Sequence, residues 1–240
     1  NVINVYNILS KEKKTITYET RYYTPALSPD LKNIVCVEVD EANNSYLTIL
    51  DILTGKKIKS IPAPKNIHIQ QPQYHPNGQK IITIGVSESG TNLLEFDLTD
   101  EKITARIAWT NQQIERPIYY KNDLIFKSNL DNKDDIFKLE QGEILRLTNV
   151  EYGAFNPFVH ENILFFNDYT PRGLKINHVD LDTVRVQKIS PQVSQTLYAS
   201  QNTFKIPAEP IDSTTAYTIT DYSSLLHTVN FHSISISGND

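Results

Sequence analysis

One cysteine, one tryptophan, eight glycines and no methionine stand in a chain of 240 residues. Several classes of protein fall with these scarcities. A single cysteine allows no internal disulfide and no thiolate zinc pattern, and Cys36, set in Ile34-Val35-Cys36-Val37, reads as a buried structural thiol. With so few glycines there is no phosphate-cradling glycine loop. No stretch approaches the roughly 20 apolar residues that a membrane helix needs. Charge of one sign is also lacking. Lysine and arginine total 23 against 28 acids, a net charge of −5 spread along the chain, so no basic face for nucleic acid is expected. The first residues carry no secretory signal, and Asn1 is not an initiator, so the chain is expected to be a processed or excised portion of something longer.

The catalytic patterns are equally thin. A zinc peptidase needs two histidines four residues apart on one helix face with a glutamate base. The sole His-Glu pair, His160-Glu161, has no second histidine and reads as a turn. Gly85-Val86-Ser87-Glu88-Ser89-Gly90 misses the Gly-x-Ser-x-Gly elbow by one residue and reads as a hairpin. Asp131-Asn132-Lys133-Asp134-Asp135 offers oxygens to calcium, but it lacks the glycine and distal glutamate of an EF-hand and carries a lysine among its acids. It reads as a solvated hairpin tip. The six histidines are scattered. No catalytic, cofactor-binding or metal-ligating residue is therefore nominated, and no cofactor is expected. Trp109 and the many tyrosines read as packing residues.

What the chain does contain is a repeat. Tyrosine (13) and phenylalanine (9) accompany short clusters of Ile, Leu and Val, which is strand chemistry. Pro25-Ala26-Leu27-Ser28-Pro29-Asp30 aligns with Pro72-Gln73-Tyr74-His75-Pro76-Asn77, and Arg116-Pro117-Ile118-Tyr119-Tyr120 with Asn156-Pro157-Phe158-Val159-His160. The first proline of each unit recurs at 25, 72, 117 and 157, a spacing of roughly 40 to 47 residues, the length of one propeller blade. Each unit continues with an apolar strand (34–39, 81–86, 124–127, 163–166), a polar tip, a third strand and a more polar fourth (57–61, 103–107, 144–147, 184–189).

A four-stranded sheet of this kind cannot cover both of its apolar faces, so it needs neighbours on each side. The chain opens in the middle of a blade, with a third strand over 1–7 and a fourth over 15–18. The expectation is an all-β propeller of four-stranded antiparallel blades, about half a blade plus four, over residues 1–190. An extended linker and tail follow over 191–240. A β-sandwich is the competing fold, but it does not predict prolines in register. More propeller is expected upstream of Asn1.

Leu27-Ser28-Pro29-Asp30 and Tyr74-His75-Pro76-Asn77-Gly78 resemble the repeat of TolB-type (WD-like) propellers, an apolar residue and Ser-Pro-Asp-Gly ahead of a strand. Units three and four have lost that motif. The tail, Tyr222-Ser223-Ser224-Leu225-Leu226-His227 with Asn230-Phe231-His232-Ser233, resembles the junction of large bacterial envelope proteins in which a propeller is followed by an outer-membrane β-barrel. The resemblance implies a non-catalytic propeller for protein–protein or interdomain interaction, periplasmic or outer-membrane associated. Its partners would be another protein or other domains of the same chain, and its membrane tether a C-terminal barrel. Two other uses fit such a scaffold: gating a peptidase that lies outside these residues, and holding a small ligand or glycan in the central pocket.

Overall fold

Every regular element in the computed structural model, which describes residues 1–130 and 132–189, is a β-strand. A two-stranded hairpin comes first, β1 (Asn4–Tyr6) with β2 (Lys13–Thr15). Three four-stranded antiparallel meanders follow: β3 (Tyr22–Leu27) to β6 (Lys57–Pro62), with β4 (Asn33–Val39) and β5 (Ser45–Asp51) between; β7 (His68–Tyr74), β8 (Lys80–Ser87), β9 (Gly90–Asp97) and β10 (Ile103–Ala105); and β11 (Ile114–Tyr120), β12 (Asp123–Ser128), β13 (Asp135–Glu140) and β14 (Glu143–Arg146). The last unit has three strands, β15 (Ala154–His160), β16 (Ile163–Thr170) and β17 (Gly173–Asp180).

The all-β propeller is what the repeat predicts, with two adjustments. The second strand of the opening hairpin ends at Thr15 rather than beginning there, because Asn7 fixes the turn early: its side-chain oxygen accepts the amides of Leu9 and Ser10, and its own amide donates to Glu12. The other concerns the fourth strand expected over 184–189. Only β18 (Gln187–Ile189) forms, and it pairs with β14 of the preceding blade, Ile144 opposite Ile189 and Arg146 opposite Gln187. The chain turns back directly after β17, where the amides of Thr183 and Val184 donate to the Asp180 carbonyl. Leu181 and Val184 then pack into the core shared by the third and fourth blades, which draws the chain across to blade three. The linker and tail expected over 191–240 lie outside the described residues.

Alternation along the second strands explains why blades stack. Ile34 and Cys36 face Ile3 and Ile16 of the opening hairpin, while Val35 and Val37 face the next blade's Ile81, Leu94 and Phe96. Ile82, Ile84 and Leu93 meet Leu124, Phe126 and Phe137 in turn, and Ile125 and Ile136 meet Leu164 and Phe166. Phe96, Phe126 and Phe137 are fully buried. Each such ring is worth about 1.5–3 kcal/mol of burial, so the interfaces between sheets, rather than the sheets themselves, carry the fold.

Candidate functional site: the axial groove

The repeated prolines have a structural role that their spacing alone does not reveal. In every blade the innermost strand breaks register at the same place, between Tyr23 and Ala26, Gln70 and Gln73, Glu115 and Ile118, and Phe155 and Phe158. Two residues there oppose one on the partner strand, which is a β-bulge. The second of the two is the aligned proline, which has no amide to leave unpaired and so suits a bulge on an edge strand. The first is left-handed each time: Thr24 (φ 48°), Gln71 (φ 49°), Arg116 (φ 52°) and Asn156 (φ 53°). None is glycine, so each bulge carries roughly 1–2 kcal/mol of backbone strain. Four strained positions in register, all on the strands nearest the axis, justify a search for function there.

These bulges line a groove along the axis. Its cavity of about 380 Å³ is bounded by Thr24, Pro25, Gln71, Pro72, Arg116 and Pro117, with Gln73, Ile118, Pro157 and Phe158 completing the wall. The Arg116 amide donates to the Gln71 side-chain oxygen at 2.6 Å, tying the second bulge to the third. Asn156 donates through its amide nitrogen to the Asn167 side-chain oxygen at 3.0 Å. Among the described residues lining the groove, Arg116 is the one that is charged. A second cavity, about 390 Å³, opens between the first two blades and shares Thr24 and Gln71 with the first. Tyr23, Val37, Val39 and Ile69 make it mainly apolar, and His68, whose Nδ1 lies 3.2 Å from the Ser45 hydroxyl, stands at its edge.

Several charged side chains away from the axis are engaged with one another. Glu95 accepts from Arg106 at 2.7 Å, Lys80 at 3.0 Å and the Tyr119 hydroxyl at 3.0 Å, joining blades two and three. Burial and the Glu95 charge push the Tyr119 phenol well above its usual range. Lys127, almost fully buried, lies 2.7 Å from Asp134 and 3.4 Å from Glu115, with its ammonium over the Phe155 ring. Asp135 accepts from the Thr148 hydroxyl at 2.8 Å and lies 3.6 Å from Lys133. In the segment considered for calcium, Asp134 and Asp135 are thus taken up by lysines; Asp131 lies outside the described residues. Among the described residues no three His, Cys, Asp or Glu side chains assemble as a metal site.

The remaining sequence candidates are placed plainly. Ser87 sits at a two-residue turn and accepts the Ser89 amide, with Ser87 opposite Gly90. His160 ends β15, and Glu161 occupies the following turn at φ 54°. Cys36 is buried, and burial pushes its thiol up to about 12. Trp109 stands beside 65–67 and 87–89 at the rim of blades one and two. The aligned prolines were legible in the sequence but the groove was not, although the signal was adjacent: every groove residue among those described is the proline of a repeat start or its immediate neighbour.

No protein-family model and no curated protein matches the chain. Solved structures do match its fold. TolB from Acinetobacter baumannii superposes with a TM-score of 0.66 at 16% identity, over 80% of this chain and 49% of that one. A putative TolB from Agrobacterium tumefaciens gives 0.55 at 14% identity, over 78% of this chain and 87% of that one. A Mycobacterium tuberculosis puromycin-hydrolyzing peptidase gives 0.57 at 11% identity, over 76% of this chain and 31% of that one. The chain has the fold of a TolB-like β-propeller, and it spans about half the length of the A. baumannii protein.

Proposed function

We propose that this propeller is a non-catalytic interaction module which holds a polypeptide in its axial groove. The polypeptide is a protein partner or another domain of the same chain, within a larger bacterial envelope protein. The observation that carries the proposal is the set of four strained bulges in register: the prolines of all four, and the left-handed residues of the first three, line one cavity. Rigid blades present these side chains without the ordering cost that a loop would incur. A periplasmic or outer-membrane-associated setting, with a C-terminal barrel as tether, belongs to the same proposal and rests on the resemblance of the repeat and tail. A second reading, a propeller that gates an attached peptidase, is favoured by the peptidase among the structures of like fold.

Phe158 lines the groove and is exposed, so replacing it with a photoreactive aromatic such as benzoylphenylalanine is a mild change. Irradiation of the full-length protein in cells is expected to give a polypeptide adduct at this position. The same probe at Thr104, exposed on the outer strand β10, is expected to give none. Adducts at Thr104 alone, or at neither position, would overturn the proposal. An adduct to a hydrolase domain of the same chain would establish the gating reading in its place.

A further inference from the structure

We infer that the axial groove recognises a peptide carboxylate, with an apolar side chain of the same peptide seated in the adjoining cavity between blades one and two. The inference rests on the reading of the groove as a polypeptide site and adds the chemistry of its ligand.

Three observations lead there. In a chain with a net charge of −5, the groove is lined by a single charged residue among the described residues, and it is a cation. The Arg116 guanidinium makes no hydrogen bond or ion pair among the described residues, whereas Lys80, Arg106, Lys127, Lys133 and Lys138 are all matched to carboxylates. The neighbouring carboxylate, Glu115, is directed to Lys127 instead.

Gln71 supplies the second observation. Its side-chain oxygen is held by the Arg116 amide, which fixes the orientation of the carboxamide and leaves its NH₂ group as the free end. The groove therefore offers the guanidinium fork and an amide donor, with Thr24 also in its lining. A lining rich in donors and without a carboxylate among the described residues selects an anion, and the planar fork matches a carboxylate bidentately.

The third observation is the adjoining cavity, which shares Thr24 and Gln71 with the groove and is walled by Tyr23, Val37, Val39 and Ile69. A peptide residue next to the bound carboxylate has an apolar place to go. An inorganic anion gains nothing from that wall.

The test uses three synthetic peptides titrated by calorimetry into the purified chain: Ac-Gly-Leu-Ala-Leu with a free C-terminus, the same peptide as its C-terminal amide, and Ac-Gly-Leu-Asp-Leu amide. The free acid or the aspartyl peptide is expected to bind at least tenfold more tightly than the plain amide. Whichever does so identifies the carboxylate as terminal or side-chain. Arg116→Gln is expected to abolish the preference. Gln71→Glu, which keeps the acceptor for the Arg116 amide but replaces the donor by a negative charge, is expected to weaken the carboxylate peptides alone. Lys102→Gln, on an exposed turn remote from the groove, is the charge control and is expected to change nothing.

Equal binding of all three peptides, or a preference that survives Arg116→Gln, would refute the carboxylate while leaving the groove as a polypeptide site. Absence of binding by every peptide alongside a Phe158 adduct would do the same. Absence of both binding and adduct would remove both readings.

Discussion

The opening hairpin docks on the first blade through a contact that only glycine permits, and this can be measured at the lone cysteine. Gly55 lies in the turn after β5 at φ +70°, where a built Cβ would overlap the carbonyl oxygen of Ile16. Gly78 has a similar backbone, φ +74°, but a Cβ there meets nothing within 4 Å. Replacing either by alanine costs about 1 kcal/mol for the left-handed conformation. Gly55→Ala must also push Ile16 away. Releasing the hairpin forfeits the burial of Ile3 and Ile16 against Ile34, Cys36 and Leu50, at most about 3–6 kcal/mol for two isoleucines. Recovering roughly half of that as destabilisation of the docked state gives about 1.5–3 kcal/mol, or a rise of about 10- to 150-fold in the population of the open hairpin. Cys36 lies beneath this hairpin, fully buried and with its thiol held protonated, so a thiol reagent reaches it only on opening. The expected result is Cys36 labelling accelerated about 10- to 150-fold in Gly55→Ala and changed by less than about threefold in Gly78→Ala. Equal rates in the two variants, with both folded by circular dichroism, would refute the docking argument.

Two further outcomes follow from the turns. Leu31 holds φ 59° in the exposed turn before β4, at the place of the glycine in the Ser-Pro-Asp-Gly pattern. Leu31→Gly relieves about 1–2 kcal/mol of strain against about 0.5–1 of added unfolded-state freedom. The urea midpoint should therefore rise slightly at unchanged slope, and a lower midpoint would contradict the strain assignment. Stability should also have an acid limb. Hydrogen bonds to Asp51 from Thr54, to Asp40 from Asn44, to Asp30 from Ser28 and to Asp97 from the Thr99 amide hold these carboxyls below their usual value of 3.8. A depressed folded pKa stabilises the fold above pH 3.8, and that contribution is lost as pH falls through the folded values. The melting temperature should drop below about pH 4, and Asp51→Asn with Asp97→Asn should flatten the drop; an unchanged slope in the double variant would rule these turns out as its source.

The blades were legible because burial on both faces of a four-stranded sheet imposes a repeating apolar pattern, and because proline can enter an innermost strand only where the ladder lacks a donor. Positions 25, 72, 117 and 157 therefore kept phase even where Ser-Pro-Asp-Gly was lost. The location of β18 was not legible. Gln187-Lys188-Ile189 has the same polar–apolar rhythm whichever edge it joins, and the choice was made by Leu181 and Val184 entering the core between two blades. The groove was hidden for a related reason. The left-handed residues of the bulges, Thr24, Gln71, Arg116 and Asn156, are a hydroxyl, two carboxamides and a guanidinium, and what all four share is a backbone conformation, which composition does not display. Arg116 acquires meaning only beside Gln71, 45 positions earlier, through the bond between them.

The return of β18 to blade three alters how the molecule would carry load. A pull on the chain beyond Ile189 is applied first to the edge of β14, through the three residue pairs that join it to β18, and not to β17. The fourth blade thus hangs between two attachments to the third, its entry at β15 and its exit at β18, like a loop of rope made fast at both ends to one post. Tension applied from outside would reach that loop, and begin to peel the outermost sheet, only after β18 had parted from β14.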